Sequence, residues 1–124
     1  RQDQDDPGLL FVLSRPTRGG TLLDVGSNVG WFAMRAAQAY RRLGGGMVHA
    51  FEPQPEVADC VADSIEANGF GDSVVLHRIA LGDRAAEIRM RPPGNNSGGS
   101  NVQLSGTVGA VAAMATLDSL DLPL

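Results

Sequence analysis

The sequence predicts an α/β fold, a parallel sheet between two helical layers (αβα), and three observations carry that prediction. Apolar runs of strand type recur at residues 21–25, 47–51 and 74–81. Segments whose apolar residues fall at helical spacing separate them, and glycines mark the handovers. Crossovers of this kind set strands parallel with helices outside. At 124 residues the chain has room for one core and therefore one domain.

Asp6 and Pro7 form an N-cap and first-turn pair, and Leu9, Leu10 and Leu13 give one apolar stripe before Pro16, so residues 1–19 are expected to hold a lead-in helix. The run Thr21-Leu22-Leu23-Asp24-Val25 is a first strand that passes straight into Gly26-Ser27-Asn28-Val29-Gly30. From Trp31, the residues Phe32, Ala36, Tyr40 and Leu43 line one side of a helix that Gly44-Gly45-Gly46 stops. Residues 47–51 form a second strand ended by Glu52-Pro53, and residues 56–68 a second helix with Val57, Val61 and Ile65 inward, before Gly69. Residues 74–81 read as one third strand, turned by Gly82-Asp83. Residues 20–83 thus spell one βαβαβ half. Over residues 84–124 the rhythm changes to two strands, 86–90 and 108–116, around a loop rich in proline, glycine, asparagine and serine at 92–100.

Composition narrows the function classes. Hydrophobic residues at 43% and charged residues at 19% match a folded globular domain rather than a disordered or fibrous chain. Ten basic residues, all arginine, against fourteen acidic ones leave a net charge of −4, with no basic footprint for nucleic acid and no polybasic membrane patch. No stretch approaches the roughly twenty apolar residues that span a bilayer, and no secretory signal stands at the start, so the cytoplasm is the default compartment. Cys60 is the single cysteine and excludes an internal disulfide.

The residues that can carry chemistry cluster where strands end. The turn Asp24-x-Gly26-x-Asn28-x-Gly30 follows the first strand, but the dinucleotide fingerprint G-x-G-x-x-G would need glycine where Asn28 and Trp31 stand. A cofactor without a pyrophosphate tolerates this turn better. Glu52 ends the second strand, where its carboxylate reaches the lip of the same crevice and can accept both hydroxyls of a ribose. Asp24 reads equally as a cap for nearby amides and as a cofactor contact. Gly26→Val is expected to abolish ligand binding while leaving the helices folded, and the same change at Gly30, nearer the helix start, to be milder.

The strings LDVGSNVGWFAMRAAQ and HAFEPQPEVADCVADSIEANG, then ALGD at residues 80–83 and TLDSL at 116–120, resemble the FkbM family of S-adenosylmethionine-dependent methyltransferases over roughly residues 20–120. The resemblance implies a Rossmann-like fold and S-adenosylmethionine as cofactor. It implies that Gly26, Ser27 and Asn28 line the methionine end, that Asp24 orders the turn, that Glu52 holds the ribose, that Ala80 and Leu81 lie along the adenine, and that Gly30 belongs to the same cofactor-binding set. The implied activity is O-methylation of a small-molecule or sugar hydroxyl. The family continues past TLDSL into a strand with a lysine and an acidic D-x-E-G-type motif, while this chain ends at Leu124. The acceptor half is therefore expected to be missing, the strand at 21–25 to lack a neighbour on one side, and the isolated chain to show no turnover. No catalytic base can be named.

Competing readings stand beside this one. A noncatalytic S-adenosylmethionine-binding module and, less favoured, a nicotinamide-dependent oxidoreductase would use the same half-fold. Trp31 and Phe32 are expected in the core. His49 and His77 are read as structural, since neither has a histidine or cysteine partner at ligand spacing, and no metal is expected. Cys60 is read as a small buried hydrophobe, Arg41-Arg42 as a solvated helix end, and the sequon Asn95-Asn96-Ser97 as having no assigned role.

Overall fold

Three parallel strands, β1 (Gly20–Val25), β2 (Gly46–Phe51) and β3 (Val74–His77), form a sheet in the order β1-β2-β3. Helix α1 (Trp31–Leu43) joins β1 to β2, and α2 (Pro55–Ala67) joins β2 to β3. The computed structural model describes residues 17–27, 30–90, 102–103 and 110–122. The expected lead-in helix up to residue 16, the loop at 92–100 with its sequon, and Asn28 lie outside the described residues.

Register decides which side chains share a face. Leu22 lies opposite Val48 and Val48 opposite Val74; in the next row stand Asp24, Ala50 and Leu76. Ala33, Ala36, Ala37 and Tyr40 of α1 pack there with Val48, Ala50 and Val74, and Ile65 of α2 joins the same cluster. Two right-handed crossovers taken in the same direction put both helices on one side. The described residues therefore build two layers, and the second helical layer expected on the other face is not among them.

The inward stripe of α1 differs from the expected Phe32, Ala36, Tyr40 and Leu43. Phe32 is half-buried and Leu43 exposed, while three alanines take the buried positions beside Tyr40. Tyr40 sets this rotation, because its ring lies against the paired glycines Gly20 and Gly46, where a Cβ would strike it. Alanines then let the helix approach closely. Trp31 is likewise half-buried, with the Arg35 guanidinium 5.5 Å from its ring centroid, so neither aromatic enters the core.

Both helices close on a glycine. After α1, Gly44 N–H bonds Arg41 C=O at 3.2 Å and Gly45 N–H bonds Tyr40 C=O at 2.9 Å, with Gly44 at φ 96°. After α2, Gly69 and Phe70 repeat the pattern on Glu66 and Ile65, the Schellman arrangement. Arg41 is more than a solvated end. It donates to Gly69 C=O at 2.8 Å and to Asp72 at 3.3 Å and lies 4.5 Å from the Phe70 ring centroid, tying the end of α1 to the loop before β3.

The expected third strand at 74–81 is two strands. β3 ends at His77, and β4 (Ile79–Leu81) belongs to a second sheet with β5 (Ala86–Met90), β6 (Val102–Gln103) and β7 (Ala110–Ala115), in the order β4-β7-β5-β6. The break has a cause on β2. Val48 N–H bonds Ser73 C=O and Glu52 N–H bonds His77 C=O, and the next donor in that alternation is Gln54. Its N–H turns instead to the Glu52 carboxylate, so nothing on β2 continues the ladder. Arg78 then leaves the sheet to pair with Asp59 on α2 at 2.7 Å.

In the second sheet, β7 runs parallel to β4 and antiparallel to β5 around a small core of Ile88 and Met114 with Ala80, Ala86 and Ala112. β1 pairs with β2 alone among the described residues. Thr116 caps the following 3-10 turn, Leu117–Ser119, through its hydroxyl and the Ser119 N–H at 3.2 Å. No helix among the described residues is long and apolar enough to cross a membrane.

Candidate functional site

The site is built where β1 and β2 end side by side, at the carboxyl edge of the parallel sheet, the place where open α/β sheets accept ligands. Gly26 leaves β1 at φ 74°, a left-handed conformation that a Cβ would strain. Its N–H and that of Ser27 both donate to Phe51 C=O, at 2.9 and 3.0 Å. The Ser27 hydroxyl donates back to Asp24 C=O at 3.1 Å, and Gly30 N–H closes the turn on Ser27 C=O at 2.9 Å. The amides of Gly26, Ser27 and Gly30 are thus already engaged, and the turn does not present them to an anion.

Gly30 is the more tightly packed of the two turn glycines. It is buried at φ 84°, and a Cβ there would lie 3.3 Å from both γ-methyls of Val61 on α2, whereas a Cβ on Gly26 would meet nothing within 4 Å. Gly30 is therefore the less tolerant of the two, because α2 passes directly over the helix start.

Glu52 is 6% exposed, a rare burial for a carboxylate. Its backbone N–H is held by His77 C=O at 3.0 Å, and Oε2 accepts the Gln54 N–H at 3.1 Å as α2 begins. Pro53 between them and Pro55 at the first turn of α2 fix the path. Across the strand end, Asp24 has a buried Oδ2 with no hydrogen-bond partner among the described residues. Burial pushes the Asp24 carboxyl above its ordinary 3.8; the Ser27 hydroxyl pulls it back down, and the charge of Glu52 adds to the rise.

Asp24, Gly26, Ser27, Gly30 and Glu52 thus lie together: Gly26 and Ser27 share the Phe51 carbonyl, Ser27 also bonds Asp24 and Gly30, and Glu52, next after Phe51, acts on Asp24 through its charge. Ala80 and Leu81 sit on β4, just past His77, and Ala80 packs into the second core beside Ile88 and Met114. Two groups escaped the sequence reading. Gln54 is 4% exposed with Oε1 buried and unpartnered among the described residues; its place after F-E-P was the available signal. His49 and His77 do have a partner, namely each other: His49 Nδ1 lies 2.9 Å from His77 Nε2.

Cys60 is exposed rather than buried, because α2 turns Ala58, Val61 and Ile65 inward and Cys60 points away. No group of three or more potential metal ligands occurs among the described residues. The site offers acceptors and negative charge at the end of a sheet. Such a site suits a ligand that brings hydroxyl donors or positive charge, and it repels phosphate. Comparison with protein-family models and with curated proteins gives no match to the chain.

Proposed function

We propose that the β1–turn–α1–β2 unit binds S-adenosylmethionine and that the chain is the cofactor-binding part of a Rossmann-like methyltransferase. The single observation that carries the reading is the pair of carboxylates at adjacent strand ends, buried Glu52 and Asp24 with its unpartnered Oδ2. Glu52 accepts ribose hydroxyls, and the two negative charges favour a cationic sulfonium nearby. A pyrophosphate would face both carboxylates and a turn whose Gly26, Ser27 and Gly30 amides are taken, which weighs against a nicotinamide cofactor. The resemblance in the strings around Gly26 and Glu52 points the same way.

Bound S-adenosylmethionine supplies an activated methyl group for in-line transfer to an acceptor hydroxyl of a small molecule or sugar. The residues described here hold and orient rather than react. Gly26 and Ser27 shape the turn, Glu52 fixes the ribose, and Asp24 adds negative potential. Calorimetry with S-adenosylmethionine, S-adenosylhomocysteine and NAD tests the reading. Binding of the first two and not the third supports it, and selective binding of NAD overturns it.

A further inference from the structure

His49 and His77 stand on neighbouring parallel strands, with rings 5.2 Å apart at 25° and His49 Nδ1 2.9 Å from His77 Nε2. One proton fits between those nitrogens. The outer nitrogen of His49, Nε2, is buried with no hydrogen-bond partner among the described residues. A stranded donor is rarer and costlier in a protein interior than a bare acceptor. Nε2 is therefore the bare one, His49 donates from Nδ1, and His77, which is less buried, carries the second proton on its own Nδ1.

A third proton breaks this arrangement. With the bridge filled and His77 Nδ1 already protonated, it can go only to His49 Nε2, where it becomes a buried donor without an acceptor; a fourth would set two N–H groups against each other. The Phe51 ring, 4.5 Å from His77 and nearly parallel to it, favours a cation on His77 but offers no acceptor to the His49 Nε2 proton. The row neighbours of the pair are Leu23 and Val75 beside His49 and Phe51 beside His77, so no charged residue of β1, β2 or β3 shares their face. The nearest charges along the chain are Arg78, tied to Asp59, and Glu52.

We propose that His49 and His77 form a single neutral, proton-sensitive latch between β2 and β3, closed near neutral pH and released by acid. Its position gives it reach into the site above. The His77 carbonyl holds the Glu52 N–H, and Phe51, stacked on the His77 ring, holds the glycine turn through its own carbonyl. Burial lowers the pKa of both histidines below 6.5, and the charge of His49 lowers His77 further. The native state therefore binds fewer protons than an opened one. Stability from the latch is full above pH 6.5 and is lost as the pH falls through 6.5 toward the lowered native values.

Two measurements on the full chain without ligand test this. Long-range nitrogen–proton NMR at pH 7.5 should show His49 as the Nδ1–H tautomer and both rings neutral, with titration only below pH 6.5. An Nε2–H tautomer at His49, or titration of both rings at 6.5 or above, overturns the proposal. Hydrogen-exchange protection factors at Glu52, Gly26 and Ser27 should fall between pH 7.5 and 5.5, by up to about tenfold for each histidine released. The fall should vanish in the His49→Gln/His77→Gln double variant. A fall of equal size in that variant overturns the latch. One further consequence rests on the proposed cofactor: S-adenosylmethionine affinity should drop over the same interval. Exchange that responds while no cofactor binds at either pH supports the latch and removes the cofactor reading.

Discussion

Glu52 Oε2 accepts the backbone N–H of Gln54 at 3.1 Å, and that bond both ends the pairing of β2 with β3 and fixes the orientation of the carboxylate at the sheet edge. The same two residues start α2, with Gln54 as its N-cap. Strand end, helix start and candidate ribose ligand are one structural event.

The first prediction concerns Glu52. Hydrogen bonds to a carboxylate contribute about 1.5–3 kcal/mol each, so Glu52→Ala should weaken S-adenosylmethionine binding by roughly tenfold or more. Glu52→Gln keeps an acceptor and should lose less. Calorimetry reads both, and an unchanged Kd in the alanine variant removes Glu52 from the site.

Asp24 gives a pH dependence of opposite sign to that of the histidines. Its carboxyl is raised above 3.8, chiefly by burial. An acid with a raised native pKa contributes stability that is full below 3.8 and is lost as the pH rises through the native value. In the ligand-free protein, Asp24→Asn should therefore raise the melting temperature at pH 7, with the gain fading toward pH 3.8. Thermal unfolding across that range checks it; a variant less stable at pH 7 than at pH 4, relative to the parent, would contradict it.

The two turn glycines should separate by stability. A side chain at positive φ costs about 1–2 kcal/mol, and both Gly26→Ala and Gly30→Ala incur that cost. Gly30→Ala must also displace the Val61 methyls, so its denaturation midpoint should fall further. The expectation is reversed if Gly26→Ala is the more damaging to folding.

How much of this was legible in the sequence depends on how far each cause lies along the chain. β1, the glycine turn and the start of α1 are local, and an apolar run followed by glycines reads directly. Glu52 was readable because its place after a strand and before two prolines is also local. The His49–His77 contact was not, because it depends on which rows of β2 and β3 align, and a pattern with period two does not give that register. The split at Arg78 depended on a hydrogen bond diverted on a different strand. Cys60 misled because Val57 is only half-buried, so the inward stripe of α2 runs instead through Ala58, Val61 and Ile65.

A fourth prediction tests the packing that sets α1. Gly46→Ala places a Cβ into the Tyr40 ring, and overpacking of this kind costs about 1–3 kcal/mol. The double variant Gly46→Ala/Tyr40→Leu should recover part of the loss, since a shorter side chain vacates the space. Chemical denaturation of Gly46→Ala, Tyr40→Leu and the double variant measures the coupling, and strictly additive losses would show that Tyr40 does not press on that glycine.

The shared carbonyl of Phe51 bears on how fast a ligand can be captured. With Gly26 and Ser27 both anchored to the end of β2, this stretch of the turn is set before any encounter. The ordering entropy of about 1–2 kcal/mol per residue that a floppy loop would owe on docking is already spent in folding. For the proposed ligand, docking against Gly26 and Ser27 then requires no rearrangement of these two residues, so the observed rate should rise linearly with ligand concentration. Rigidity of this kind also makes the turn a poor absorber of change: a shift of the β2 core is carried to Gly26 and Ser27 through one oxygen atom.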